Sequence, residues 1–113
     1  MNFTSESHGA VTVVALDGNL MGGPDASTLN NKLHELQAAG KTTVVLDLSK
    51  VHFINSSGLG ILIGGASMLK SAGGGLKLAG ASEKIMAIIK ITKLEKVFET
   101  YSTVSDAIAS VKK

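Results

Sequence analysis

The run from Thr42 to Leu48 limits the fold of this chain most, because it is apolar almost throughout and rich in β-branched side chains. A short run of this kind is typical of a strand that is buried on both faces of a sheet. A second such run, Val11 to Leu16, ends at the turn-forming pair Asp17-Gly18. Both runs are therefore predicted to be central strands.

A helix is predicted between these two strands. Pro24 is tolerated in the first turn of a helix, Asp25 favours a helix N-terminus, and Gly40 ends the pattern. Between them, apolar residues recur at helical spacing, namely Ala26, Leu29, Leu33 and Leu36. A strand, a helix of this length and another apolar strand form a βαβ unit, whose crossover is right-handed in nearly all known cases.

The rest of the chain repeats this alternation. After the serine pair at positions 56 and 57, one predicted helical face carries Leu59, Leu62, Ile63, Ala66 and Leu69. Further on, the patterns predict a strand over Leu76 to Ala79, a helix capped by Ser82, an edge strand over Val97 to Glu99, and a last helix opened by Thr103 and Asp106. We expect an α/β fold: one domain over residues 1–113, with a four- or five-stranded mixed sheet and about four helices packed against it.

The size and composition of the chain fit one folded domain. Its 113 residues match the size of a typical domain, and 44% hydrophobic with 18% charged residues is the balance of a globular protein. The net charge is only +2 and the lysines are scattered, so the basic patch that binds phosphate backbones is missing. Three Phe, one Tyr and no Trp leave few side chains for base stacking. Nucleic acid is therefore not expected as a partner.

The sequence also bears on the compartment. The first ten residues are polar and lack the basic start and apolar run of a secretory signal, which makes the cytoplasm the expected location. The longest apolar stretch, Gly58 to Leu69, falls short of the roughly 20 residues that span a bilayer. It is predicted to be a buried helix, and no membrane insertion is expected. Without cysteines the chain can form no disulfide or zinc-thiolate site.

No metal or phosphate-binding motif is complete. His8, His34 and His52 are not spaced three or four residues apart, so no metal site is predicted. The tripeptide Gly40-Lys41-Thr42 matches the end of a phosphate-binding P-loop, but Glu35 occupies the place of the first glycine. The tripeptide also ends a helix instead of opening one, so backbone N–H groups would not point at a phosphate. No cofactor is therefore expected.

The glycine-rich stretch Gly58 to Gly64 follows a strand and opens a helix, where dinucleotides bind in other folds. The next strand, Leu76 to Ala79, supplies no acidic residue to hold a ribose. The glycines are better explained by close packing of the helix and a tight turn before it. Spacing alone does not assign a histidine as general base to Ser56 or Ser57, so neither catalytic residues nor enzyme activity are predicted.

One segment combines these features in a specific order: Asp47-Leu48-Ser49 at the end of a strand, a spacer that contains Phe53, and Ser56-Ser57-Gly58-Leu59-Gly60 at the start of a helix. This order resembles the signature of STAS domains, specifically that of bacterial anti-sigma factor antagonists. The resemblance extends over nearly the whole chain, from Gly18-Asn19-Leu20 before the first helix to Val97-Phe98 before the last. The fold that it implies agrees with the α/β fold predicted above.

The resemblance implies a function and a site. An antagonist of this family binds an anti-sigma factor with a histidine-kinase-like ATPase fold and so frees a sigma factor, and the anti-sigma factor phosphorylates the antagonist on serine. Matched residue by residue, the phosphorylated serine is Ser56, with Ser57 as the second choice. A serine phosphatase would reverse the modification, and a monomer is expected. The partner-binding residues that the resemblance implies are Met21, Gly22, Asn55, Ser56, Ser57, Gly58 and Leu59.

Two positions depart from the family pattern. Asn55 stands where an aspartate commonly precedes the serine pair, and Met21-Gly22-Gly23 stands where another aspartate is often found. Two alternatives remain open: a STAS scaffold or accessory subunit, for example of a transport system, in which the serines only cap their helix, and an enzyme that binds a nucleotide at Gly58 to Gly64. The hydroxyl at Ser56 favours the switch, because a scaffold needs none there.

Overall fold

The computed structural model describes residues 2–21, 24–94 and 98–111, with the backbone alone described at positions 24–26. The strands are β1 (Asn2–His8), β2 (Val11–Asp17), β3 (Thr43–Lys50), β4 (Gly75–Ala79) and β5 (Glu99–Tyr101). The helices are α1 (Pro24–Ala38), α2 (Ser56–Ser71), α3 (Glu83–Ile91) and α4 (Val104–Val111). Strands and helices therefore alternate from β2 to α4, as the sequence predicts.

The five strands form one mixed sheet in chain order, β1-β2-β3-β4-β5. β1 runs antiparallel to β2, and the other neighbouring pairs are parallel. Right-handed crossovers in a sheet of this order place α1, α2 and α3 on the same face. The core on that face contains residues of all three helices, whereas α4 packs against the opposite face. The predicted α/β fold with a mixed sheet and four helices is confirmed.

The central strand β3 shows why its sequence is apolar almost throughout. Val44, Leu46 and Leu48 belong to the core beneath α1, α2 and α3, and Val45 belongs to the core beneath α4. All four side chains are fully buried. Because successive side chains of a strand point to opposite faces, a strand that is covered on both faces needs apolar residues at nearly every position.

The first strand is not apparent from the sequence, whose first ten residues are polar. The structure instead places residues 2–8 in a strand that pairs with β2 along its whole length. Within this strand, Phe3 packs against the core. The strand lies at the edge of the sheet and is mostly exposed, so it lacks the apolar alternation that marks a half-buried strand.

Two other details differ from the predictions. The last strand is Glu99–Tyr101 instead of Val97 to Glu99, and Val97 lies outside the described residues. Ile63, predicted on the buried face of α2, is 37% exposed. It lies about 100° around the helix from the buried Leu62, at the flank of the buried stripe.

Two predicted helix caps are present. Ser82 Oγ accepts a hydrogen bond from the Ile85 N–H at 3.3 Å, and Thr103 Oγ1 accepts one from the Asp106 N–H at 3.1 Å. Each bond satisfies one of the N–H groups that the first turn of a helix leaves without an intrahelical partner. These caps fix where α3 and α4 begin.

Lys77 links β4 to β5 on the face that α4 covers. Its ammonium group forms an ion pair with Glu99 and lies 5.6 Å from the ring centre of Tyr101. Burial lowers the pKa of Lys77, but the hydrogen bond and the charge of Glu99 raise it more, so this pKa lies above its ordinary value of 10.5. A group with a raised pKa stabilises the fold fully below its unfolded pKa, and this stabilisation is lost as the pH rises through the folded pKa.

Replacing Lys77 with Met tests this contribution. At about pH 8 the Lys77→Met variant lacks the ion pair, a loss that we expect to stay below about 1 kcal/mol because Glu99 is 66% exposed. As the pH rises from about 8 to about 11.5 the unfolded wild type loses its lysine charge first, so the free energy of unfolding of the wild type should fall relative to that of the variant. Urea denaturation at both pH values measures this change. If the free energies of unfolding of the wild type and the variant differ by the same amount at both pH values, the contribution assigned to Lys77 is wrong.

Candidate functional site

The loops that follow β2 and β3 are joined by backbone hydrogen bonds. The Leu20 N–H donates to the Phe53 carbonyl at 2.9 Å, and the Asn55 N–H donates to the Leu20 carbonyl at 3.3 Å. Leu20 and Ile54 thereby form a parallel bridge beyond the ends of the two strands, and both side chains are buried. The start of α2 is thus held against the segment that leads to α1.

Asn55 is the N-cap residue of α2. Its side-chain Oδ1 accepts a hydrogen bond from the Gly58 N–H at 2.8 Å, and its backbone carbonyl accepts one from the Leu59 N–H at 2.9 Å. The interpretation of the two serines as helix caps is therefore wrong, because the cap is the residue before them. Asn and Asp cap helices about equally well, so an asparagine here keeps the helix start intact.

Ser56 and Ser57 are the first two residues of α2, and both are exposed. In the described part of the chain their backbone N–H groups donate no hydrogen bond, and this first turn contains no acidic residue. The N-terminus of a helix carries a partial positive charge, and unpaired N–H groups there favour an anion. The surface at Ser56 is therefore suited to carry a negatively charged group.

Gly58 allows α2 to approach the loop after β2. A Cβ at this position would overlap the Leu20 carbonyl oxygen and would lie 3.0 Å from Leu20 Cγ. At Gly60 and Gly64, by contrast, an added Cβ would meet no atom within 4 Å. The expectation that glycines permit close packing therefore applies to Gly58, and its contact is with the loop backbone.

Three further side chains lie in or beside these loops. Met21 directly follows Leu20 and is 39% exposed. Phe53 is half-buried, and Lys84 of α3 places its Nζ 5.1 Å from the Phe53 ring centre, which is a cation–π distance. The sequence does not indicate the contact of Lys84, because the chain passes through β4 before α3 returns to the end of the sheet where β2 and β3 end. The aromatic residue in the spacer is the signal that could have suggested such a contact.

Most of the predicted partner-binding residues lie together at the end of the sheet where β2 and β3 end. Gly58 and Leu59 are buried there, Leu59 with 8% exposure, so neither offers a side chain to a partner. Gly22 lies outside the described residues. The accessible predicted residues are Met21, Asn55, Ser56 and Ser57, and we call these four the α2 N-terminal surface.

The histidines do not form a second site. His8 lies in β1, His34 in α1 and His52 in the segment after β3. Over residues 2–21, 24–94 and 98–111, no three potential metal-ligating side chains come together. The same ranges contain no helix that is both long enough and apolar enough to cross a membrane. The accessible predicted site residues that the structure gathers are those of the α2 N-terminal surface.

A Gly58→Ala substitution tests the contact between α2 and Leu20. The added Cβ would push against the Leu20 backbone, and we expect the free energy of unfolding to fall by about 1–3 kcal/mol. Gly60→Ala is the matched control in the same helix, where the added Cβ meets open space and should leave stability equal or raise it by up to about 1 kcal/mol. Urea denaturation of both variants measures the difference. Equal effects of the two substitutions would refute the proposed contact.

A family model of the STAS domain matches residues 2–107 of the chain. Over 114 residues the chain is 30% identical to the anti-sigma-F factor antagonist RsfB of Mycobacterium tuberculosis, a match that covers 96% of this chain and 88% of the relative. Over 74 residues it is 34% identical to the anti-sigma-B factor antagonist of Bacillus subtilis, which covers 66% of this chain and 67% of the relative. The chain spans 66% and 64% of the length of the relatives that it matches in Thermotoga maritima and Thermotoga neapolitana.

The fold is shared with the Bacillus cell fate determinant SpoIIAA. Its phosphorylated form superimposes with a TM-score of 0.77 at 22% identity, covering 97% of this chain and 99% of that one. Its unphosphorylated form gives a TM-score of 0.77 at 21% identity, covering 98% of each chain. At these identities the likeness concerns the fold. The two forms of that protein resemble this chain to the same degree.

Proposed function

Because the chain belongs to the STAS domain family, we propose that it is a cytoplasmic anti-sigma factor antagonist whose binding is switched off by phosphorylation of Ser56. It acts by binding and not by catalysis: it holds an anti-sigma factor and thereby releases a sigma factor. The observation that carries the proposal is an exposed serine in the first turn of a helix whose first two N–H groups donate no hydrogen bond to any described residue. The names of the relatives support an anti-sigma factor as the partner.

The first turn of α2 can carry a phosphate without unfolding. A phosphate on Ser56 adds about −1.5 to −2 charges, and the helix N-terminus with the N–H groups of Ser56 and Ser57 favours such a charge. Asn55 places no negative charge beside it, as an aspartate would. The cap bond from Gly58 to Asn55 does not use the Ser56 hydroxyl, so it persists after modification. The phosphate therefore changes the charge of the surface and leaves the fold intact.

The same phosphate weakens a closely fitting interface. Unmodified, the α2 N-terminal surface offers uncharged side chains: a partly exposed methionine, an amide and two hydroxyls. A phosphate there would have to lose water in the complex and could meet acidic groups of the partner. A penalty of about 3–4 kcal/mol lowers affinity by two to three powers of ten. This change releases a partner that binds with micromolar to nanomolar affinity.

The kinase and the phosphatase complete the proposed cycle. We assign the kinase activity to the anti-sigma factor itself, through a histidine-kinase-like ATPase fold, and the reversal to a separate serine phosphatase. The antagonist needs no cofactor in this cycle, since the ATP is bound by its partner. Its contribution is an accessible hydroxyl and a surface whose charge changes on modification.

Intact-mass analysis tests the assignment of the phosphorylated residue. Wild type, Ser56→Ala and Ser57→Ala are each incubated with ATP and the candidate anti-sigma factor from the same genome. We expect a mass gain of one phosphate in the wild type and in Ser57→Ala, and none in Ser56→Ala. The Ser57→Ala protein is the matched control, because both serines are exposed in the same helical turn.

The outcomes separate the alternatives. A mass gain that is lost in Ser57→Ala instead would move the modification to Ser57. If no protein gains mass and Ser56→Ala binds the partner like wild type, the chain is a STAS scaffold or accessory subunit without a serine switch. Circular dichroism checks the fold of each variant, which we expect to be intact because neither hydroxyl takes part in the cap of α2.

A further inference from the structure

β1 presents a long and regular sheet edge that no strand of the described chain covers. Its seven residues pair with β2 without a register shift, so the strand contains no bulge. It also contains no proline and no lysine, which commonly protect exposed edges from other strands. At the opposite edge, β5 is three residues long, and such a short strand is a poor template for pairing.

The turn before β2 determines which backbone groups of β1 face outward. Gly9 and Ala10 form a two-residue turn, with Gly9 at φ 66°. In such a hairpin the flanking pair, here His8 and Val11, exchanges both of its hydrogen bonds, and bonded pairs then alternate along the ladder. Alternate residues therefore point their N–H and C=O groups away from β2, namely Phe3, Ser5 and Ser7.

We propose that this edge binds the same strand of a second copy of the chain, so that two sheets join into one across a two-fold axis at Ser5. The two β1 strands are antiparallel. Ser5 faces Ser5 of the second copy, and Phe3 faces Ser7 of the second copy. These are the outward-facing residues, and each bonded pair of an antiparallel ladder exchanges two hydrogen bonds. The outward N–H and C=O groups of the strand thus gain partners.

The charges of β1 fit this register. Glu6 is the one acidic residue of the strand and faces Thr4 of the second copy, while His8 faces Asn2 of the second copy. A register centred on Glu6 would place two carboxylates opposite each other, which is destabilising, and would pair only residues 4–8 of the strand. A register centred on Ser7 would pair fewer residues. The register centred on Ser5 uses the whole strand without opposing like charges.

The side chains on the face of the sheet that α1, α2 and α3 cover add to the contact. Phe3 and Ser7 are four residues apart in a strand and therefore share a face. Phe3 packs against the core and is partly buried, and Ser7 Oγ accepts a hydrogen bond from Lys41 Nζ at 3.3 Å. In the proposed dimer the exposed part of the Phe3 ring lies beside Ser7 of the second copy. Removing this apolar surface from water favours association.

The proposed dimer leaves the α2 N-terminal surface free. β3, which leads to α2, is separated from the β1 edge by β2. Because the two-fold axis reverses the strand direction, the two Ser56 residues lie at opposite ends of the joined sheet. The inference goes beyond the proposed function and does not depend on it. The sequence predicts a monomer, whereas the proposed chain forms a dimer as its concentration rises.

Hydrogen exchange of the backbone N–H groups, measured by NMR on the full chain, tests the dimer. The N–H groups of Phe3, Ser5 and Ser7 should exchange about two- to fourfold more slowly at about 1 mM than at about 50 µM, because mass action favours the dimer. Those of Thr4 and Glu6 bond to β2 in either state and serve as internal controls. Sedimentation equilibrium over the same range should show a mass that rises from 11.6 kDa towards twice that value.

Two variants at the centre of the strand sharpen this test. Ser5→Pro removes an outward N–H and keeps the bonds to β2, since proline is tolerated where the N–H of an edge strand faces solvent. Ser5→Ala is the matched control that keeps the N–H. We expect the proline variant to stay monomeric at about 1 mM and the alanine variant to dimerise like wild type.

The proposal is overturned if the wild type stays monomeric at about 1 mM, or if the exchange of its three outward N–H groups is independent of concentration. Equal dimerisation of the proline variant and the wild type would overturn it as well. If the proline variant loses the protection of its β1–β2 hydrogen bonds, the wild-type concentration series decides by itself. A dimer whose slowed N–H groups lie outside β1 would assign the interface elsewhere and refute the proposal.

Discussion

The hydrogen bonds between Leu20 and the segment before α2 hold together the two loops on which the site depends. They fix the backbone after β2 against the backbone after β3, and Gly58 permits the contact because it has no Cβ. Asn55 takes part twice, since its N–H bonds to Leu20 and its side chain caps α2. Ser56 is therefore an exposed residue on a backbone that these hydrogen bonds hold in place. A charge added to it changes the surface of the molecule and leaves these bonds in place.

The sequence predicts the parts of the fold that are covered on both sides. β3 is recognisable because its two faces are both buried, which requires apolar residues almost without a break. β1 is not recognisable, because an edge strand that is mostly exposed can consist of polar residues. Ile63 shows a similar limit: helical spacing identifies a buried stripe but not its flank, which depends on the neighbouring elements.

The sequence predicts where the site lies but not which residue caps α2 or which side chains approach the site from other elements. Asn55, Ser56 and Ser57 are adjacent and all belong to good N-cap types, so the sequence does not decide which of them caps α2. A shift of one residue determines which side chain bonds to the helix and which is free. The hydrogen bond from the Asn55 N–H to Leu20 places Asn55 at the cap position. The approach of Lys84 to Phe53 depends on the sheet topology, which local patterns do not contain.

We propose that a phosphate on Ser56 weakens binding without unfolding the chain. The most direct test compares the dissociation constant for the anti-sigma factor of the unmodified chain with that of a chain carrying phosphoserine at position 56, introduced during translation. The account predicts a Kd that rises by two to three powers of ten, equivalent to about 3–4 kcal/mol, with an unchanged fold by NMR. Equal Kd values would contradict the account, and so would a loss of binding that is accompanied by unfolding of α2.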